Sequence, residues 1–235
     1  MKRSVFVVIA LSLAAFGVTA GAGPASAGSN DKAIAEAGII EASDVPRTFT
    51  ASPQDRSGAK KTLALARRTK GCSGFVKFQA ANEAATKAES DQFETGSEDL
   101  SNVSYVHKSE AVATRLMDSL GASSTADCLQ DVLQKRTELQ VKADPDLRRQ
   151  VVDVTLTLEQ TDLGDVATSQ LSYEGVLSLE LKDGSTDDLN VALVAIQVER
   201  VILSYSVSAT PASTNIADVF RTAVTNTVNR TFAAL

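Results

Sequence analysis

Val151-Val-Asp-Val-Thr-Leu-Thr-Leu158 decides the fold, because Val152, Val154, Leu156 and Leu158 alternate with Asp153, Thr155, Thr157 and Glu159. A period of two sends successive side chains to opposite faces of an extended chain, so one face is apolar and the other polar. Leu171, Tyr173, Leu177, Leu179 and Leu181 repeat the pattern against Gln170, Ser172, Glu174, Ser178 and Glu180. That run stops at Asp183-Gly184, a hairpin-turn dipeptide. Val191-Ala-Leu-Val-Ala-Ile196 is unbroken in apolar residues, as a strand covered on both faces would be. Val201, Leu203, Tyr205 and Val207 alternate again with Ser204, Ser206 and Ser208. Four neighbouring strands on short connections predict an antiparallel sheet within residues 151–209.

Upstream the period changes to that of helices. A short helix is expected over residues 33–40, closed by Glu41-Ala-Ser-Asp-Val-Pro46, where Pro46 pushes Val45 out of helical geometry. Residues 52–58 read as a loop. A helix of about three turns is expected over residues 60–70, stopped by Gly71. Phe75, Phe78, Asn82 and Ala85 keep helical spacing through residues 75–88. Residues 91–95 and 102–106 read as two short strands that extend the sheet. Ser109 is placed to cap a helix carrying Val112, Leu116 and Leu120 and stopping at Gly121. Ser124-Thr-Ala-Asp127 opens another, with Leu129, Val132 and Leu133 as its buried stripe and Cys128 in its first turn. Asp144-Pro-Asp146 ends the helical half. Ile216, Val219, Phe220, Ala223, Val224, Thr227, Val228 and Phe232 trace one face of a terminal helix that lies on the sheet. The fold class is therefore α+β, a central antiparallel sheet flanked by helices.

Met1-Lys-Arg-Ser4 supplies a positive start, residues 5–18 an apolar core, and Ala25-Ser-Ala27 a small-residue cleavage site. Residues 1–27 are expected to be a secretory signal peptide cut after Ala27. Residues 28–58 would form an N-terminal lead with a short helix, and residues 59–235 a single domain. Gly, Ser, Thr and Pro24 dilute the apolar run beyond Phe16, which argues against a membrane span. The mature chain is then soluble, exported and without a transmembrane segment.

Without Lys2 and Arg3 the chain carries 21 basic against 29 acidic residues. That balance argues against nucleic acid or an anionic membrane as the general partner. Tryptophan is absent and aromatics make up 5% of the residues, which counts against a carbohydrate cleft lined with stacking rings. Cys72 and Cys128 are the two cysteines of an exported chain and are expected to form one disulfide. The competing reading makes Cys72 a nucleophile beside His107.

The order and spacing of several of these pieces resembles the PknH-type extracellular sensor domains of actinobacteria, found on receptor kinases and as free secreted or lipid-anchored proteins. The matching pieces are Ile39-Ile-Glu-Ala-Ser-Asp-Val-Pro46, Cys72 after a helix, Asn102-Val-Ser-Tyr-Val-His-Lys-Ser-Glu-Ala-Val-Ala113, Cys128-Leu129, the strand at residues 201–208 and the terminal helix. Two departures stand out. Glu199-Arg200 replaces a Gly-Asn type turn, and the second cysteine pair of the kinase-linked members is missing. The resemblance implies an α+β sensor-like domain that binds an unidentified extracellular ligand, and it carries no catalytic residues to transfer.

Chemistry-bearing motifs are few. Gly71-Cys-Ser-Gly74 falls short of a nucleophile elbow because Phe75 stands where glycine is needed. His107 is the one histidine, so any Ser-His scheme must use it, with Ser73 as the candidate hydroxyl. Its place at a strand end suits a surface or capping role better. One histidine and two paired cysteines leave no zinc cluster. Asp183-Gly-Ser-Thr-Asp-Asp188 lacks the spacing of a calcium loop and is read as a turn. Lys60, Lys61, Arg67, Arg68 and Lys70 form a candidate patch for an anionic envelope polymer, weighed against the commoner case of a solvated helix face. No cofactor is implied. Two function classes follow: a secreted, non-enzymatic sensor-like module for an extracellular small molecule or cell-envelope component, and, as the alternative, a secreted hydrolase using His107 with Ser73.

Overall fold

β5 (Val151–Thr161) alternates in burial almost as it does in sequence, with Val154, Leu156 and Leu158 buried and the polar residues between them exposed. The departure is Val152, which a β-bulge between Val151 and Asp153 turns outward to 60% exposure. The computed structural model describes residues 29–54, 58–163 and 169–235. The signal peptide expected over residues 1–27 lies outside them.

In chain order the elements before β5 are α1 (Ser29–Ala37), a 3-10 turn (Ala42–Asp44), β1 (Thr50–Ser52), α2 (Ala59–Ala66), α3 (Ser73–Glu83), β2 (Thr86–Glu89), β3 (Gln92–Glu94), β4 (Glu98–Val106), α4 (Glu110–Leu120), α5 (Ser124–Ala143) and α6 (Pro145–Gln150). After β5 come β6 (Ser169–Leu181), β7 (Thr186–Val198), β8 (Val201–Ala209) and α7 (Ile216–Ala234). The strands make one antiparallel sheet in the order β1-β3-β4-β8-β7-β6-β5, with β2 also paired to β4. β4 joins the sheet beside β8 along its whole length, from Glu98 opposite Ala209 to Val106 opposite Val201.

Both faces of the sheet are packed, by different helices. Val154, Leu156, Leu158, Tyr173, Leu177 and Leu193 meet the layer of α3, α4 and α5, whose contributions include Phe75, Phe78, Leu116, Leu129 and Leu133. The opposite face offers Val194, Ile196, Leu203 and Tyr205 to α1 and α7 through Ile34, Val219, Ala223 and Val224. The central strands β7 and β8 are therefore covered twice, which is why residues 191–196 are apolar without a break. Phe232, expected on the buried stripe of α7, is 52% exposed instead, because the helix turns Thr227, Val228 and Thr231 toward the sheet.

Cys72 and Cys128 form the expected disulfide, with Cα atoms 5.0 Å apart, joining the start of α3 to the first turn of α5. Tyr173 Oη donates to the Leu120 carbonyl at 2.5 Å and so caps α4 from the sheet. Two local expectations are corrected. The helix expected over residues 60–70 ends at Ala66, and the chain turns before the positive φ of 85° at Gly71. Residues 86–88, expected at the end of a helix, lie instead in β2, because pairing with β4 outweighs a thin apolar stripe. The β7–β8 turn puts Glu199 at φ 49°, a backbone region that normally favours glycine.

Three polar clasps hold residues 29–46 to the sheet and α7. Arg200 pairs with Asp31 at 2.6 Å. Asn102 accepts from the Ile40 N–H and donates to the Gly38 carbonyl, both at 2.8 Å. Arg230 donates to both carboxylate oxygens of Asp44 and to the carbonyls of Ala37 and Ile39.

The outer edge of the sheet is closed by side chains rather than by a strand. The backbone N–H groups of Leu156 and Leu158 donate to Gln134 Oε1 at 3.2 Å and Gln130 Oε1 at 3.0 Å. A spacing of four on α5 thus serves a spacing of two on β5, because one helical turn and two strand residues advance by similar lengths. This satisfies donors that an edge strand otherwise presents to another chain.

Candidate functional site

α7 and α1 cover only part of their face of the sheet. Among the described residues no helix lies over that face of β5 and the adjoining half of β6, and polar residues fill it: Thr155, Thr157 and Glu159 on β5, Glu174 and Ser178 on β6. Where the helix stops and the bare sheet begins, a cavity of about 640 Å³ opens. Its floor is Val176, Ala192 and Val207 from three successive strands, and its far wall is Ile216, Phe220 and Val224 of α7. Phe220 is held edge-on against Tyr205 with ring centroids 5.6 Å apart. Tyr205 in turn is fully buried and bonded to Thr227 at 2.5 Å, so the wall rests on a fixed pair.

Gly175 shapes the floor. A Cβ there would lie 1.6 Å from the Thr157 carbonyl oxygen, so only glycine lets β6 approach β5 this closely beside the groove.

The mouth is acidic on the sheet side. Glu159 and Glu174 are register partners on neighbouring strands and share the face that lines the groove. Side chains paired in this way start about 4.5–5.5 Å apart, and like charges so placed destabilise a sheet. Ser172 Oγ donates to Glu174 at 3.1 Å, and no ion pair reaches either glutamate among the described residues. Asp162 adds a third lining carboxylate, and Thr161 Oγ1 is buried there with no hydrogen-bond partner. Arg221, on the helix side, is paired with Asp218 at 3.5 Å with both side chains exposed.

The residues singled out from sequence fall elsewhere. His107 directly follows β4, where its backbone N–H donates to the Arg200 carbonyl and its own carbonyl accepts from Arg200. A surface or capping role was expected for it, yet the residue is 4% exposed. Pairing of β4 with β8 over its full length draws it inside. Burial lowers its pKa to about 4, and Nε2 has no hydrogen-bond partner. Ser73 is exposed in the first turn of α3, and no hydrogen bond joins it to His107 among the described residues. Cys72 is in the disulfide and offers no thiol. Lys60, Lys61, Arg67, Arg68 and Lys70 are all exposed, the first two on α2 and the other three at and beyond its end. No group of three or more His, Cys, Asp or Glu side chains is placed to hold a metal ion among the described residues. No helix among them is long and apolar enough to cross a membrane.

Sequence reasoning passed over the groove. Its residues come from β5, β6, β7, β8 and α7, and the alternation that revealed the strands does not say where a helix covering them stops. One signal was present: β5 and β6 keep a polar face along their length, whereas β7 does not.

No family model matches the chain, and no curated protein matches it either. Among solved structures, the extracellular domain of PknH from Mycobacterium tuberculosis superposes over 68% of this chain and 74% of that one, with 9% identity and a TM-score of 0.38. A likeness of that degree adds nothing to the geometry of the groove.

Proposed function

We propose that this chain is a secreted, non-enzymatic ligand-binding domain of sensor type, and that the groove between α7 and the sheet is where its ligand sits. The observation that carries this reading is the groove itself: a cavity of about 640 Å³ with an apolar floor and wall and a smaller set of polar side chains in its lining. Small-molecule sites have this constitution, concave and mainly apolar with a few polar groups that fix orientation. The disulfide supports an oxidising, extracellular location.

Hydrolysis through His107 and Ser73 has less support. A general base must reach the hydroxyl it activates and meet solvent or substrate, and His107 is buried with Nε2 unbonded. The groove contains neither residue.

The test is ligand-induced stabilisation. A ligand bound only by the folded state raises its melting point, and a thermal-shift screen against small apolar and amphipathic envelope molecules should return hits. Ala192→Trp fills the floor of the groove and should abolish each of them. Hits that survive this substitution would place binding elsewhere, and a loss of ester or glycoside hydrolysis in His107→Ala would replace this reading with the enzymatic one.

A further inference from the structure

We infer that the groove selects a primary ammonium group carried on an apolar body, an inference that rests on its being a ligand site at all. The apolar half of the ligand is set by Val176, Ala192, Phe220 and Val224, which can bury a chain or ring but offer it no charge. The head group is set by Glu159 and Glu174. They face each other across β5 and β6 on the groove side with no cation paired to either among the described residues. Such a pair costs the sheet stability, and a cation between the two carboxylates removes the cost. Strand pairing alone would favour Thr, or a Lys opposite one of them, at these positions.

Thr161 sharpens the head group from any cation to one bearing N–H donors. Thr161 stands two residues beyond Glu159 on the same face of β5, lines the same groove, and its buried Oγ1 has no partner. A primary ammonium has three donors, enough for two carboxylates and a hydroxyl. A quaternary ammonium has none. Arg221 already has Asp218 beside it and stands on the opposite wall, so it leaves the sheet side acidic.

The occupant is a small molecule, since the site is a cavity bounded by a helix and four strands rather than a flat apolar surface.

Titration calorimetry of the purified protein with octylammonium, octyltrimethylammonium, 1-octanol and octanoate, all below their aggregation limits, separates the parts of this inference. Octylammonium should bind about tenfold more tightly than 1-octanol, a preference of about 1.4 kcal/mol. It should also bind more tightly than octyltrimethylammonium, and octanoate should bind least. Glu159→Gln with Glu174→Gln should bring octylammonium down to the level of 1-octanol while raising the melting point, because the carboxylate repulsion is gone. Arg221→Gln should leave the order of the four probes unchanged. Octanoate binding as well as octylammonium, an unchanged order in the double variant, or loss of octylammonium binding in Arg221→Gln would each overturn the ammonium inference while leaving the groove as a ligand site. Equal binding of the two ammonium probes would overturn the role of Thr161 and the choice of a primary amine. If none of the four binds, or all bind equally well to Ala192→Trp, the reading of the groove itself falls, and the inference with it.

Discussion

Arg230 Nη2 lies 2.7 Å from Asp44 Oδ2, which places residue 230 of the terminal helix against residue 44 of the N-terminal segment. Asp44 is 2% exposed at its side chain. Burial alone would raise its pKa, but the hydrogen bonds from Arg230, from the Glu41 N–H and from Asn226 outweigh it and hold the carboxyl below its ordinary value. The clasp therefore contributes stability above the unfolded carboxyl value of 3.8 and loses it as the pH falls below that value. Arg230→Met strands a buried carboxylate and should destabilise the protein by about 3 kcal/mol. Limited proteolysis should then cut within residues 38–50 before elsewhere. Arg230→Met with an unchanged denaturant midpoint would show the clasp to be neutral.

Removing the disulfide should loosen one layer before the rest. Cys72→Ser with Cys128→Ser frees α3 and α5, and in the chain-entropy account a bridge with a sequence separation of 56 contributes about 4 kcal/mol. We expect a loss of about 2–5 kcal/mol, with amide exchange rising first in α2 to α4 and the β7 and β8 amides staying protected. Uniform loss of protection would mean that the layers unfold together.

Gln130→Leu with Gln134→Leu removes the acceptors that hold the Leu156 and Leu158 amides. Each half-buried donor left unmet costs about 1–3 kcal/mol, and β5 becomes an open edge. Size-exclusion chromatography should show dimers or larger species formed at rising concentration. A monomer of parental stability would mean that water serves these amides equally well.

Two buried groups drive the pH dependence in opposite senses. Burial lowers His107 from 6.5 to about 4, so the unfolded chain takes up its proton first; stability is intact above 6.5 and falls toward 4, by about 3 kcal/mol at most. Burial raises Asp99 from 3.8 to about 7, the Gln92 hydrogen bond opposing this and Glu94 across the strand pair adding to it. Its contribution is fully present below 3.8 and is lost as the pH climbs to about 7. Urea midpoints from pH 3 to 8 should show His107→Gln flattening the acid limb and Asp99→Asn gaining stability at pH 8 but not at pH 3. Parallel curves for parent and variants would mean that neither group titrates in that window.

The α+β class, the four strands of residues 151–209, two of the four strands before them (β3 and β4) and the disulfide were legible in the sequence. The reason is physical: burial on one face imposes a period of two or of 3.6 on the chain itself, and two cysteines leave one pairing. Short elements were less legible. Residues 86–89 have no strong period of their own and become strand because β4 supplies a partner from 14 to 20 positions away.

Contacts between distant segments were not legible, because no local pattern records them. Val152 continues the alternation and is turned out by a bulge; Phe232 continues the helical stripe and is left at its margin. His107 looks like a strand-end residue and is buried because β4 runs its full length against β8. The groove is the clearest case. Glu159 and Glu174 are ordinary polar-face residues in one dimension and become opposed carboxylates at a mouth only through the β5–β6 register. Sequence alone determined which faces are apolar, since that is a property of each segment. Tertiary structure alone decided which part of an apolar face stays open, since that depends on where α7 ends its contact with the sheet.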